Sequence, residues 1–573
     1  MTFYEKLLET LGLDEVGLLA REKTGASDGE LWGLTGRDDN GALASFPDDF
    51  RKAVAFLEDE IISGKKIVVY GDYDVDGITA TAIMVMALRL LGLGKNVGFY
   101  IPSRYDTGYG LNTQVLKKMA SRGYGLLIAV DNGITKGKEC EFLASKAIRY
   151  LILDHHEEQK GATPRFGPGL GAMYHRNDVS AAFLSLAVAR EVLGDERLRT
   201  KLEAQGFKVK PRGVVNDFLP YLVTLAGLAV FSDCMPLSNP YDLSLAKRGL
   251  ADLNEGLKGK FPSSLPYFQR LTFLIDGYGE RQEVTYEDIN FAINSKINSV
   301  ARVWGGLRTN IGAYFLLDEN QVRAKALAQA IGQANEEKKA IVHRYVNGIS
   351  VPQESNLVVL DLTQEERQVP AGLSGLIANT VLDGLREKKP VMVLCPSGIG
   401  EGDLVGSLRG PGGIRLDLAL DSPMIKPLLK DHGGHESACG FTLPKAYKDR
   451  FLRLMEEVIA ASPNGVKGDL TMAIAEEWVS PSSLSALRSL EPFGTGFPCP
   501  KFALTLARER LVRGIRGNHV FLPLAGGGKL AMFNCADLIA ASPADRITCL
   551  GSIREHSFDG LSEVQLVAKP GNS

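Results

Sequence analysis

At 573 residues the chain is too long for one hydrophobic core, and about three domains of ordinary size are expected. Its 45% hydrophobic and 23% charged residues fit a soluble globular protein, and a net charge of -3 excludes a global basic excess, so any polyanion site must be a local patch. Seven scattered cysteines without a Cys-x-x-Cys pair exclude a zinc knuckle or a redox pair and point to a reducing cytoplasm.

Within an N-terminal segment of residues 1–45, the first 23 residues alternate charged and apolar residues at helical spacing and lack the apolar core of a signal peptide. Ile67 to Tyr70, Leu126 to Val130 and Tyr150 to Leu153 read as buried strands, with helix-like stretches at Ala80 to Leu91 and Gln114 to Ala120 between them. Such alternation predicts a parallel sheet covered on both faces, here over residues 46–317. The apolar run Leu222 to Phe231 is too short to span a bilayer, so a cytoplasmic protein without membrane contact is expected. From Asp318 to Asn347, Leu327, Ile331, Ala334, Ile341 and Tyr345 recur at helical spacing and predict a connecting helix. A second α/β region (348–464) should hold strands at Leu357 to Leu360 and Val391 to Leu394 around a helix from Leu376 to Arg386. Beyond residue 465, the β-rich runs Phe502 to Leu506, His519 to Leu524 and Glu563 to Ala568, with the Gly526-Gly527-Gly528 turn, predict a small barrel.

The chemistry concentrates where the first three strands end. Asp72, Asp74 and Asp76 alternate in Asp72-Tyr73-Asp74-Val75-Asp76-Gly77, so an extended chain would crowd them on one side unless cations lay between them. An EF-hand is excluded because position twelve of the loop is Ile83, where a bidentate Glu is required, and because a strand precedes the segment. The second strand ends in Asp131-Asn132-Gly133 and the third in Asp154-His155-His156. In a parallel sheet the carboxyl ends of strands share one edge, where sites form. Asp233, after the apolar stretch, can close the cluster or merely end a helix. Carboxylates with imidazoles suit Mn²⁺ (or Mg²⁺) better than a calcium cage. So many acids imply two ions about 3.5 to 4 Å apart, the arrangement for phosphoester hydrolysis.

In order and spacing, Asp72 to Gly77, Asp131-Asn132-Gly133, Asp154-His155-His156 and Asp233-Cys234-Met235-Pro236-Leu237 resemble the four motifs of DHH-family phosphoesterases. Gly433-Gly434-His435-Glu436-Ser437-Ala438-Cys439-Gly440 is similar to the signature of the DHH-associated domain, with Cys439 replacing an alanine. Within the family the RecJ type is nearest, through Pro102-Ser103-Arg104, Gly108-Tyr109-Gly110-Leu111, Gly406-Ser407-Leu408-Arg409 and Glu491-Pro492-Phe493-Gly494. The resemblance implies an α/β DHH domain, a long connecting helix, a DHH-associated domain and a C-terminal OB-type barrel. It also implies 5′→3′ hydrolysis of single-stranded DNA in repair and recombination, with a single-stranded-DNA-binding protein and a helicase as further partners. Asp74, Asp76, Asp131, His155 and Asp233 match metal ligands, with Asp131 as the bridge. Asp154 and His156 match catalytic or supporting groups, and Asp72 a supporting acid or further ligand. Arg104, Arg302, Ser407, Arg409, Gly434 and His435 match groups around the 5′ phosphate or the strand, although an arginine taken alone is more often a surface ion pair.

Three places depart from the family pattern. Ser295 to Arg302 keeps Asn298 and Arg302 but has Ala301 for a glycine, Val369-Pro370-Ala371-Gly372 lacks a histidine, and Tyr174-His175 replaces an Asn-Pro pair. The alternatives are a DHH enzyme acting on short oligonucleotides or cyclic dinucleotides and a silent DNA-binding replication factor. The chain's length and barrel speak against the first, its intact acids against the second. In the barrel, one or two of Phe493, Phe497, Phe502, Phe521 and Phe533 should be exposed for stacking, and Arg508, Arg510, Arg513 and Arg516 should in part share a face.

Overall fold

Ile67 to Tyr70 are buried to a residue, as expected of a strand covered on both faces, and they form most of β1 (Lys66–Tyr70) in a computed structural model of the chain. The structure describes residues 2–13, 47–158, 162–167, 169–280, 283–346, 355–364, 369–385, 388–397, 402–461, 470–558 and 561–570. They fall into two units: residues 26–235 with 239–466, and residues 1–25 with 236–238 and 467–573.

In the larger unit β1 joins β2 (Val97–Tyr100), β3 (Tyr124–Val130), β4 (Arg149–Asp154) and β5 (Gly171–His175) in a parallel sheet of order β2-β1-β3-β4-β5. The order reverses between β1 and β3, which opens a crevice at their carboxyl ends. β2 and β5 escape a reading of apolar runs because neither is an unbroken buried apolar run: glycine interrupts β2, no residue of β2 is fully buried, and β5 holds Gly171 and His175.

The Val75–Leu90 helix begins five residues before the helix-like stretch seen in the sequence. Residues 75–88 are all buried, so it carries no polar face to mark its limits. The Leu222 to Phe231 run is part of a longer helix, Arg212–Ser232, whose 21 residues are apolar enough to cross a membrane by length and composition. That corrects the expectation of a short segment. Yet 72% of its apolar window is buried within the protein, as in a core helix. It lies close against the Pro240–Leu257 helix, where a Cβ on Gly227 would come within 3.1 Å of Gly249 Cα.

The expected connecting helix is Gln321–Val346, and Asn347 lies outside the described residues. Its buried stripe runs through Ala324, Ala328, Ile331, Ala334, Asn335 and Lys338, while Leu327 is only half-buried. The difference arises because the Ser295–Val303 helix opposite offers polar groups: Ser299 donates to Asn335 Oδ1 (3.1 Å), and Lys338 Nζ donates to Ser295 Oγ (3.0 Å) and to its carbonyl (3.2 Å).

The second sheet has the order β6-β7-β8-β10-β9, from β6 (Val358–Asp361), β7 (Val391–Pro396), β8 (Asp403–Arg409), β9 (Asp431–His435) and β10 (Ala438–Pro444). The helix expected to end at Arg386 is Ser374–Gly384, and Arg386 lies outside the described residues.

In the smaller unit seven strands follow: β11 (Thr471–Ile474), β12 (Lys501–Ala507), β13 (Ile515–Arg516), β14 (His519–Pro523), β15 (Lys529–Met532), β16 (Arg546–Phe558) and β17 (Leu561–Pro570), ordered β11-β12-β16-β17-β15-β14-β13. Met472 near one end of the sheet and Val520 near the other enter one core, so the sheet curls round it as a barrel does. The Phe3–Leu11 helix adds Phe3 and Leu7 to that core.

Candidate metal centre and anion pocket

The three acids after β1 do not converge through strand alternation, because the strand ends at Tyr70 and a helix begins at Val75. Asp74 caps that helix, its Oδ1 accepting the Gly77 N–H at 3.0 Å, and Asp76 lies in the first turn. Gly77 permits the tight tuck, since a Cβ there would stand 2.5 Å from the Asp72 nitrogen. Asp76 accepts the Ala181 and Ala182 N–H groups, both at 2.8 Å, at the start of the Ala181–Gly194 helix. Asn298 accepts the Val75 N–H (3.0 Å) and donates to Ser232 Oγ (3.1 Å), tying this loop to the helix that Asp233 ends.

Asp131 leaves β3 in the left-handed region, at φ 62, which aspartate tolerates better than most residues. Its N–H donates to Leu153 O at 2.9 Å. His155 Nε2 then lies 3.3 Å from Asp131 Oδ1, 3.6 Å from Asp233 Oδ2 and 3.8 Å from Asp76 Oδ2. Donor atoms gather within 4.8 Å of one another in three groups: Asp72, Asp74 and Asp131; Asp76, His155 and Asp233; and Asp131, His155 and His156. Asp131 belongs to two of them. All the metal-ligand candidates read from the sequence are therefore brought together, Asp233 serving as helix C-cap as well.

Burial and the neighbouring carboxylates push Asp72 and Asp131 well above the usual carboxylate range, Asp76 up to about 7 and Asp233 up to about 8. Burial and the charge on His156 lower His155 to about 4, leaving a neutral imidazole of the kind metals bind. Burial also opposes the charge on His156, but its Nδ1 lies 2.8 Å from Asp154 Oδ1 and that bond raises it to about 9. For Asp154 the His156 bond and charge, with the Ile134 N–H at 2.9 Å, outweigh burial and hold it below the usual range. Divalent ions fit this donor set. Asp72 Oδ1 is buried with no hydrogen-bond partner, and carboxylates this crowded stay ionised only with cations between them.

A second cluster is basic. Arg104 lies over the Tyr73 ring at 4.4 Å. Burial opposes its charge, but Tyr73 and Asp72 outweigh that and raise it. Arg302 is lowered by burial first and then by the Arg104 charge, with Arg409 adding to the effect, so Arg302 lies near both other guanidiniums in a partly buried space. Arg409 donates to Leu408 O (2.9 Å) and Cys439 O (3.1 Å), and burial lowers it too. Ser407 Oγ meets Ser374 Oγ at 2.8 Å, at the start of the Ser374–Gly384 helix. His435, on the edge strand, stands opposite Ala438, which stands opposite Arg409 across the next strand, so His435 and Arg409 share one row. Gly434 must lack a side chain, because a Cβ would lie 2.3 Å from Ala438 O. Ala301, in place of the family's glycine, is buried within the Ser295–Val303 helix.

Tyr109 was not among the residues picked from the sequence, though the motif holding it was. Its hydroxyl donates to Asp131 O at 3.2 Å and lies 3.1 Å from His156 Nδ1. His175, one of the departures, sets its Nε2 2.8 Å from His156 O and so braces the loop. In the smaller unit Phe502 and Phe497 are buried, Phe493 stacks on Phe497, and Phe521 is half-buried against Phe533, which is 50% exposed. Among the described residues only part of the expected arginine face is free of carboxylates: Arg510 pairs with Glu476 and Arg513 with Glu509, while Arg508 and Arg516 donate to backbone carbonyls.

The model of the DHH family, N-terminal domain, matches residues 66–188, and that of the RecJ OB domain matches residues 470–570. The single-stranded-DNA-specific exonuclease RecJ of Dickeya dadantii is 28% identical over 538 residues, 90% of this chain and 89% of that one. The chain thus carries a DHH-family N-terminal domain and a RecJ-type OB domain, and it is similar to RecJ exonucleases over most of its length. Another RecJ relative, from Escherichia coli, is 28% identical over 84% of this chain and 82% of its own. The RecJ-type fold is also seen in the Mn²⁺ complex of RecJ from Thermus thermophilus, with a TM-score of 0.68 at 23% identity over 99% of this chain and 77% of that one. A manganese-bound exonuclease RecJ aligns with a TM-score of 0.53 at 25% identity over 74% of this chain and 98% of that one.

Proposed function

We propose that the protein is a metal-dependent exonuclease that hydrolyses single-stranded DNA from its 5′ end, in DNA repair and recombination. The observation that carries this reading is the pairing of a centre rich in carboxylates with a separate pocket of three arginines in one unit. Asp72, Asp74 and Asp131 would hold one divalent ion and Asp76, His155 and Asp233 a second, with Asp131 between them. Bound Mn²⁺ or Mg²⁺ lowers the pKa of a coordinated water and polarises phosphoryl oxygens. His156, kept protonated by Asp154, is a cation suited to the scissile phosphate. Arg104, Arg302, Ser407 and Arg409, with Gly434 and His435 beside them, supply donors for a terminal 5′ phosphate, the guanidiniums binding it through two oxygens at once.

The domain limits read from the sequence, 46–317 for catalysis, 348–464 for the DHH-associated domain and 465–573 for the OB fold, accompany this proposal. So do a cytoplasmic setting and, as partners, a single-stranded-DNA-binding protein and a helicase.

Strands labelled at one end, with and without a 5′ phosphate, test the reading in Mn²⁺ and in chelator. Mononucleotide release from the 5′ end in Mn²⁺ alone is expected, and Asp131→Ala should abolish it while the protein stays folded. Cleavage confined to di- or trinucleotides would instead favour an oligonucleotide phosphodiesterase. Binding without cleavage would favour a silent replication factor. Asp131→Ala activity within tenfold of wild type would remove the bridging role.

A further inference from the structure

Lys136 closes the loop after β3, its N–H donating to Gly133 O at 3.0 Å. Its side chain turns back over the Gly108-Tyr109-Gly110 turn. Nζ stands 5.9 Å from the centre of the Tyr109 ring, and the seat exists because residue 110 is glycine: a Cβ there would lie 2.9 Å from Lys136 Cε. The same tyrosine touches Asp131 O and His156 through its hydroxyl. Lys136 is thus one aromatic ring away from the metal centre.

An ammonium beside so many carboxylates would ordinarily be drawn into an ion pair. Among the described residues no carboxylate lies within salt-bridge distance of Lys136. Nor does it belong to the arginine pocket, where Arg104, Asp74 and Arg409 bear on Arg302. A row therefore runs Arg104, Tyr73, Tyr109, Lys136, with 4.4 Å from the guanidinium to the first ring and 6.4 Å between the rings. A cation stands at each end. We propose that Lys136 binds an internal phosphate of the strand, at a position separate from the terminal-phosphate pocket. The proposal rests on the reading of the centre as a phosphodiester hydrolase.

The test uses the full chain with Mn²⁺ and a 5′-phosphorylated single strand. Lys136→Ala should raise KM about tenfold, as expected for loss of a hydrogen bond to a charged group, with little change in kcat. The slope of log(kcat/KM) against log salt should fall by about 0.7, the value for one phosphate contact on a single strand. Lys136→Arg should restore both, and Mn²⁺ titration of the alanine variant should match wild type, which separates strand contact from damage to the fold. A Lys136→Ala enzyme with the wild-type KM and salt slope overturns the proposal while leaving the exonuclease reading intact. A wild-type protein that neither binds nor cuts single strands overturns both.

Discussion

Asp242, on the Pro240–Leu257 helix, is fully buried, and neither carboxylate oxygen has a hydrogen-bond partner. Burial, with the nearby Asp178 and Asp76, pushes it up to about 8, close to the value for Asp233 and above the 7 of Asp76. All three lie above the unfolded value of about 3.9. Raised carboxyls give stability that is fully present below the unfolded pKa and is lost as pH rises through the folded one. The metal-free protein should therefore melt progressively lower from pH 6 to pH 9, and Mn²⁺ should offset the loss at the alkaline end. Asp242→Asn should make the decline shallower, because an amide there cannot ionise. Thermal melts in chelator across that range check this, and an unchanged slope in the variant would exclude Asp242 as a source. The aspartates and histidines of the centre were legible in sequence, because charged residues at strand ends stand out against apolar runs. Tyr109, Lys136 and Asp242 were not, since a tyrosine among glycines, a loop lysine and an acid in a helix carry no local mark of what lies across the fold from them.

The element that joins the arginine pocket is the start of the Ser374–Gly384 helix, which presents Ser374 to Ser407 and Gly375 to Arg409. A Cβ on Gly375 would stand 2.6 Å from Arg409 Nη2, and the movable guanidinium would have to yield rather than the backbone. Gly375→Ala should leave stability unchanged or slightly higher, alanine being the better helix former. It should raise KM severalfold for a 5′-phosphorylated strand and less for a 5′-hydroxyl strand. Equal effects on the two strands would show that Arg409 does not serve a terminal phosphate. At this scale the long helix and the central strands were readable from periodicity, but helix starts were not. The first turn of the Val75–Leu90 helix carries Asp76 and Gly77, chosen for the site rather than for helix propensity, and it reads as a loop.

The whole molecule pairs a catalytic unit with a barrel-like unit built from both ends of the described chain. Phe3 meets Trp478 edge-on at 5.9 Å and Phe502 at 5.7 Å, and Leu7 is fully buried. Nothing in residues 1–23 announces this, because the helical pattern there shows an apolar face without saying what covers it. Leu7→Ala should destabilise the smaller unit by about 2–5 kcal/mol, the range for a buried leucine reduced to alanine, and leave cleavage of short strands unaffected. Two calorimetric transitions, only one of them shifted, would bear this out; a common shift of both would show that the units melt together. A truncation meant to ask whether the barrel-like unit holds long strands should remove residues 2–13 along with residues 470–573, or Phe3 and Leu7 will be left uncovered. The same division sets an order of events during synthesis. The Phe3–Leu11 helix is made before the catalytic unit, but its seat comes from strands between Thr471 and Pro570. At ribosomal speeds of roughly 5 to 20 residues per second, that helix waits on the order of a minute with its apolar face unsatisfied, an interval in which a nascent-chain chaperone has a binding site that the finished protein no longer displays.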